Sequence, residues 1–161
     1  MALYRYGNWI HRSVRIPILS HILRVAYWIL YFAISILICG SQIPAKCTIG
    51  KGLKLPHPFG IFFTNEVVIG ENCMILQQVT IGTRGREAGS PVLEDNVFVG
   101  AGAKIIGKVR IGSNVEIGAN AVVVNDVPKD VTAVGIPARI LPTSTAHTSP
   151  QETIPTDQTR T

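Results

Sequence analysis

The sequence predicts an all-β solenoid built from six-residue repeats. Aliphatic residues recur every six positions from Leu93 to Val123, and a second small or apolar residue follows each of them four places later. Glycine directly follows several of these aliphatic residues, as at Gly100, Gly112 and Gly118. A six-residue period fits neither a helix nor a hairpin. It fits a solenoid whose flat faces take one hexad each and whose corners need small residues.

The same phase begins earlier in the chain and shifts by two residues between Ile61 and Ile69. Three hexads close one triangular coil, so the aliphatic side chains point inward and stack on their counterparts in the next coil. Each fully buried side chain of this kind contributes about 1.5–3 kcal/mol. In the first half of the repeat, the phase predicts inward-facing side chains at Ile43, Cys47, Ile49, Leu55, Phe59 and Cys73.

Composition divides the 161 residues into three parts. Residues 1–40 are basic and then apolar, which predicts a helical segment. Residues 41–140 are rich in Gly and β-branched residues and form the solenoid, except for the polar run at residues 83–92, which we expect to leave it as an exposed loop. Residues 141–161 are rich in Thr, Ser and Pro, which predicts a disordered tail.

Basic charge is concentrated in the first part of the chain, because no Asp or Glu occurs before Glu66. An anionic neighbour is therefore expected, either membrane headgroups or a phosphate-bearing ligand; nucleic acid is not, since no aromatic stacking platform is visible. The apolar run over residues 25–40 is shorter than the roughly 20 residues that span a bilayer. It is interpreted as a helix packed on protein or as a helix in the membrane interface, with a true span the least favoured.

Two motifs carry a resemblance to a known family. The stretch from Val99 to Gly107, VGAGAKIIG, and the closing stretch from Val134 to Ile140, VGIPARI, occur in the same order as in that family. Together with the hexads and the interrupting loop, they resemble the left-handed parallel β-helix of hexapeptide-repeat acyltransferases, specifically the serine acetyltransferase branch. The resemblance covers about residues 42–140. It implies acetyl transfer to a hydroxyl by a homotrimer with active sites between neighbouring subunits.

The resemblance assigns the catalytic base to His57, which lies between two prolines in the stretch KLPHPFG. An imidazole that takes the hydroxyl proton as the new bond forms contributes about 10²–10⁴ in rate. Gln42 occupies the position of a family Asp that orients the ring, and a neutral amide stabilises an imidazolium less well than a carboxylate does. Backbone N–H groups at the Gly82 turn, or at the corner over residues 100–103, are expected to stabilise the oxyanion.

The resemblance also implies that acetyl-coenzyme A is the co-substrate. No metal is expected, because the repeats offer one histidine where a zinc site on this fold would need three. The pantetheine arm is expected to follow the small-residue corners, with basic side chains available to the phosphates. The predicted cofactor-binding residues are Gly82, Ala101, Ala103, Lys104, Ala119 and Arg139.

Two further departures from the family pattern concern the acceptor. Pro56 replaces an Asp, and Gly89 and Ser90 replace an Arg-His pair, so the residues with which the family grips serine are missing. Together with the basic and apolar N-terminal segment, this predicts that the acceptor is a sugar hydroxyl in polysaccharide biosynthesis, modified in the cytoplasm or at the inner face of the membrane. The alternatives are serine O-acetylation in cysteine biosynthesis and a non-catalytic, membrane-associated trimeric scaffold.

Overall fold

The computed structural model of the protein describes residues 5, 25–27, 29–33, 39–85 and 89–141. Most of the predicted N-terminal segment and residues 142–161 of the predicted tail lie outside the described residues. Leu141 still belongs to the last strand, so the predicted tail begins one residue too early. Within the described ranges, no helix has the length and apolar character that crossing a membrane requires.

The described strands form three sheets, between which the chain passes in turn as a parallel β-helix. The first sheet contains β1 (Thr48–Ile49), β3 (Val68–Ile69), β6 (Val92–Leu93) and β9 (Arg110–Ile111). The second contains β4 (Met74–Ile75), β7 (Phe98–Val99), β10 (Glu116–Ile117), β12 (Thr132–Val134) and β13 (Arg139–Leu141). The third contains β2 (Phe62–Phe63), β5 (Thr80–Gly82), β8 (Lys104–Ile106) and β11 (Val122–Val123). All neighbours pair in parallel except β13, which returns antiparallel to β12.

The register confirms the period that the sequence predicts. Lys104 on β8 pairs with Val122 on β11, three hexads further along the chain. It also pairs with Thr80 on β5, across the polar loop that interrupts the hexads. The coil that contains the loop is longer than the other coils because of the inserted loop residues. The strands after the loop still pair with the strands before it in the same register. The stacking above and below the loop is therefore undisturbed, and the predicted loop extends one residue too far, because Val92 already belongs to β6.

The hexad positions form the core. From β6 onward the aliphatic residues and the small residues four places after them are at most 5% exposed. Cys47 and Cys73 are fully buried, which confirms that they face inward, and burial raises the pKa of the Cys47 thiol to about 11. The prediction for Phe59 is wrong, because its side chain is 55% exposed. The physical reason lies in Pro56 and Pro58, which have no N–H for a ladder and take the chain out of phase just before β2.

The described part of the N-terminal segment is helical over residues 25–27 and 29–31. Tyr31 is buried, and its ring centroid lies 5.6 Å from that of Tyr27. Burial raises the pKa of Tyr27 to about 12, with further contributions from Tyr31 and the Cys47 thiol. The tyrosine face of this helix thus lies against the first coil, an arrangement that favours the interpretation of a helix packed on the β-helix.

Candidate active site

One edge of the β-helix, where the second sheet passes into the third, carries the predicted base. We call it the site edge, and it consists of residues 57–60, 77–78, 101–102 and 119–120, one group from each coil. His57, Phe59, Gly60, Gln77 and Gln78 line a depression of about 390 Å³ on this edge. The imidazole of His57 is exposed there. It is therefore accessible to a substrate from solvent.

The backbone around His57 is held by a tight turn and by a buried serine. The His57 carbonyl accepts a hydrogen bond from the Phe59 N–H at 2.8 Å, and Gly60 follows at φ 66°. Ser41, which is only 7% exposed, donates its hydroxyl to the Pro58 carbonyl at 2.8 Å and accepts the Ile61 N–H at 3.0 Å. Sequence reasoning missed Ser41, because a single serine carries no signal of a partner 17 residues away.

Gln42 lies one coil before β2 and enters the third sheet through its backbone. Its N–H donates to the Ile61 carbonyl at 2.7 Å, and its carbonyl accepts from Phe63 at 2.8 Å. The side chain is exposed. In the part of the chain that the structure describes, no hydrogen bond joins Gln42 to His57, so its role in orienting the ring stays a prediction.

Successive corners of the site edge are joined by backbone hydrogen bonds. The N–H of Gln78 donates to Phe59, that of Gly102 to Gln77, and that of Asn120 to Ala101, at 2.8–2.9 Å. Neighbouring coils therefore lie at the usual spacing of about 4.8 Å. Each of the three later corners also leaves one N–H without a partner among the described residues. These N–H groups belong to Gln77, Ala101 and Ala119.

The corner over residues 100–103 narrows the choice of oxyanion donor. Gly100 donates its N–H to Ile117, Gly102 to Gln77 and Ala103 to Gly100. Only the Ala101 N–H remains available among the four. Ala103 is fully buried, and its carbonyl accepts the Thr80 N–H. Its small side chain packs in the core, so Ala103 is not among the cofactor contacts that we propose below.

The other predicted contacts are divided between several parts of the molecule. The ammonium of Lys104 donates to the carbonyls of Gln78 and Gly102, at 2.6 and 2.9 Å, and so lies at the site edge. Gly82 lies on the opposite end of β5, where the third sheet passes into the first, and a side chain there would meet Thr64 at 3.1 Å. Arg139 is exposed on β13. Within one chain, the structure brings Lys104, Ala101 and Ala119 to the edge of His57, but not Gly82.

A metal centre has no support in the part of the chain that the structure describes. No group of three or more His, Cys, Asp or Glu side chains is placed there to hold an ion. The depression offers one imidazole and two side-chain amides, and the Lys104 ammonium and a series of backbone N–H groups lie along the same edge.

Comparison with known proteins supports the resemblance and the left-handed β-helix. The bacterial transferase hexapeptide (six repeats) family matches residues 90–125. A serine acetyltransferase of Synechococcus elongatus is 36% identical over 152 residues, which is 93% of this chain and 59% of the relative. One from Staphylococcus aureus is 44% identical over 104 residues, or 63% of this chain and 49% of the relative. The chain thus spans about half to three-fifths of these relatives.

Solved structures give the same result. The serine acetyltransferase of Neisseria gonorrhoeae superposes with a TM-score of 0.69 and 36% identity, covering 86% of this chain and 50% of that one. Soybean serine acetyltransferase superposes with a TM-score of 0.71 and 35% identity, covering 86% and 55%. Both superpositions cover the same large share of this chain.

These comparisons overturn the prediction of a sugar acceptor. The relatives and structures just described are named serine acetyltransferases, and they match at 35–44% identity. The reason for the error is physical. Pro56, Gly89 and Ser90 remove groups that would grip serine, but a missing group provides no contact that would select a sugar.

Proposed function

We propose that this chain, which has the β-helix of hexapeptide-repeat transferases in the serine acetyltransferase branch, moves the acetyl group of acetyl-coenzyme A to the hydroxyl of serine. The product would enter cysteine biosynthesis, and the reaction would take place in the cytoplasm, where acetyl-coenzyme A is available. One observation carries the proposal: the exposed imidazole of His57 shares an edge with unpaired backbone N–H groups on successive coils.

His57 supplies the acid–base chemistry. Its imidazole takes the proton of the serine hydroxyl while the oxygen attacks the thioester carbonyl, and a tetrahedral intermediate forms. The Ala101 N–H is the donor that the corner leaves free for the oxyanion. His57 then returns the proton to the departing sulfur as the carbon–sulfur bond breaks. The products are O-acetylserine and coenzyme A.

The site edge also orders the contacts along the cofactor. A pantetheine arm that reaches His57 from the far end passes Ala119 first and Ala101 next, where N–H groups are available for its amide carbonyls. Arg139, on the last strand, then lies at the phosphate end. Lys104 lies at the thioester end, because its ammonium is bound to the carbonyls of Gln78 and Gly102.

That position changes the role of Lys104 from the predicted phosphate contact to an acceptor contact. Two backbone carbonyls hold the ammonium beside the depression that His57 lines, and the third N–H bond of the ammonium is left for a ligand. A cation fixed there fits the carboxylate of serine. It would partly replace the Arg-His pair for which this chain has Gly89 and Ser90.

The active site is completed in a homotrimer in this proposal. Gly82 and the loop after it lie on a different edge from His57, so they reach an active site only if a neighbouring subunit contributes them. Phe62 on the third sheet is 45% exposed, and Phe59 beside His57 is 55% exposed, which suits a surface covered by a second copy. Light scattering at micromolar concentration should give three chains per particle.

An assay of thiol release tests the function. Purified protein is mixed with acetyl-coenzyme A and either L-serine or ethanolamine, which has the same hydroxyl and ammonium but no carboxylate. We expect L-serine to be the better acceptor by at least about tenfold, the scale of a hydrogen bond to a charged group. The advantage should shrink in Lys104→Met. Equal rates with both acceptors would contradict serine as the substrate, and no release with either would leave the scaffold alternative.

A further inference from the structure

A side-chain amide in the depression has an unsatisfied acceptor. The Oε1 atom of Gln77 is buried and makes no hydrogen bond in the described part of the molecule. One other buried side-chain oxygen there shares this property, the Thr64 hydroxyl, and Thr64 does not line the depression. Gln77 therefore combines two properties within the described ranges: it lines the surface next to His57, and it carries a buried acceptor without a donor.

An acceptor of this kind is costly unless a ligand provides the missing donor. A buried polar atom without a partner is unfavourable, because it has lost its hydrogen bonds to water. The backbone of Gln77 fixes the residue in place, since its carbonyl accepts the Gly102 N–H at 2.9 Å. The coil thus positions the residue, and no group among the described residues donates a hydrogen bond to its side-chain oxygen.

The order of groups along the site edge identifies the hydrogen-bond donor that Gln77 Oε1 lacks. Gln77 lies on the coil between His57 and Ala101, so a cofactor arm that delivers its thioester to His57 passes Gln77 last. The pantetheine arm carries amides, each with one carbonyl and one N–H. The backbone N–H groups of Ala101 and Ala119 serve carbonyls only. An amide N–H close to the thioester needs an acceptor, and the Gln77 amide oxygen is at the corresponding coil.

We propose that Gln77 is a positioning residue whose Oε1 accepts a hydrogen bond from the pantetheine amide N–H nearest the thioester. This inference rests on the proposed function in one respect, which is the use of acetyl-coenzyme A as the acetyl donor. The hydrogen bond fixes the two-carbon link between the amide and the sulfur, and so sets the thioester carbonyl within reach of His57. Gln77 acts on the reaction through the position of the thioester and takes no part in proton transfer.

The first test compares two substitutions that each remove one unsatisfied oxygen. Gln77→Met keeps the length of the side chain without the amide, and Thr64→Val keeps the shape of the side chain without the hydroxyl. The dissociation constant of coenzyme A is measured by calorimetry, and the unfolding temperature by circular dichroism. We expect Gln77→Met to weaken coenzyme A by about tenfold and Thr64→Val to leave it unchanged, because only the first loses a ligand contact.

Unfolding separates this role from a structural one. Neither substitution should lower the unfolding temperature, since replacing a buried, unpaired polar group by an apolar one is neutral or stabilising. Lower stability in Gln77→Met than in Thr64→Val would show a structural role and overturn the inference. Unchanged affinity for coenzyme A in Gln77→Met would overturn it as well, while serine acetylation by the parent chain could still stand. Coenzyme A binding without transfer to serine would contradict the acceptor and leave Gln77 in its role.

The second test identifies the donor atom. S-acetyl-N-acetylcysteamine carries the amide N–H near the thioester, and S-acetyl-2-acetoxyethanethiol has an ester oxygen at the same place. With the parent protein, kcat/KM for acetyl transfer should be about tenfold higher for the amide donor, and in Gln77→Met the two donors should react alike. A parent protein that fails to prefer the amide donor would overturn the proposed hydrogen bond.

Discussion

The first coil and the later coils of this β-helix share the same six-residue repeat, but the first coil follows it less regularly. From β6 to β11 every hexad residue is at most 5% exposed and the strands pair without interruption. In the first coil Ile43, Ile49 and Leu55 are only partly buried. Gln42 and Lys54 join the sheets there through isolated bridges rather than strands. The regular part builds the scaffold, and the irregular part presents the imidazole.

The difference has a local cause. In the regular coils, Asn96, Asn114 and Asp130 occupy corners at φ 57–60°, a conformation that Asn and Asp tolerate. Their side chains also bond along the corner, with Asn96 donating to Asn114 at 3.2 Å and Asn114 to Asp130 at 2.7 Å. The corner of His57 lies on another edge. It keeps a left-handed residue, Gly60 at φ 66°, but two prolines precede it and have no N–H for a ladder. The chain there follows its own turn, and side chains that a regular hexad would bury point outward.

The strongest test of the comparison is the removal of the imidazole from the irregular coil. His57→Ala should lower kcat by about 10²–10⁴, the contribution of a positioned general base. Unfolding temperature and coenzyme A affinity should not change, because the His57 side chain is exposed and is not part of the described core. Steady-state kinetics with acetyl-coenzyme A and serine measures the effect. An alanine variant that transfers acetyl groups as fast as the parent would show that His57 is a surface residue only.

A second test compares how much stability is lost when one large apolar side chain is removed from each region. Ile117→Ala, at a fully buried hexad position on β10, should destabilise the fold by about 2–5 kcal/mol through lost burial and a cavity. Phe59→Ala removes a larger side chain, yet it should change stability by less than about 0.5 kcal/mol because Phe59 is 55% exposed. Urea unfolding followed by circular dichroism compares them. A loss in Phe59→Ala as large as in Ile117→Ala would mean that the first coil is packed like the others.

Sequence reasoning predicted the scaffold well because burial in a solenoid repeats. Each inward position stacks on an equivalent one, so the period of six predicted the core and the three sheets. The predicted place of the two-residue shift, between Ile61 and Ile69, is wrong, because the pairing of Lys54 with Met74 and of Phe62 with Thr80 puts the shift just before β2. It failed at Phe59 because the same period was carried through Pro56 and Pro58, where no ladder hydrogen bond can form. The phase of a repeat predicts a side chain's direction only where the backbone can still pair.

The site was less predictable than the core, because its contacts cross between coils. His57 was found through the family motif, but Ser41 and Gln77 were not, since each acts through a partner or a neighbour that is distant in sequence. Lys104 was identified as a basic group near the cofactor. Its position at the thioester end follows only from the carbonyls of Gln78 and Gly102 that hold it. The acceptor was predicted wrongly, because it was inferred from groups that are missing.

The smallest expected effect concerns a charge cluster on the regular coils. The carboxylate of Glu94 accepts hydrogen bonds from the Arg110 side chain, with a shortest contact of 2.6 Å, and from the hydroxyl and N–H of Ser113 at 2.9 and 3.0 Å. The Ser113 hydroxyl first, and then Arg110, lower the pKa of Glu94 below its ordinary value of 4.5. The ionised form is therefore favoured in the folded state.

The sign of the pH dependence follows from that lowered pKa. A carboxyl group that binds its proton more weakly when folded stabilises the fold above its ordinary pKa of 4.5, and the stabilisation is lost as the pH falls through the lowered value. Glu94→Gln should thus cost more stability at pH 7 than at pH 3. The effect should be small and weaken in salt, because the side chains of Arg110 and Glu94 are 68% and 29% exposed. Glu116→Gln, an exposed glutamate on β10, is the control. A Glu94→Gln penalty that is the same at both pH values would show that the cluster adds no charge-dependent stability to the regular coils.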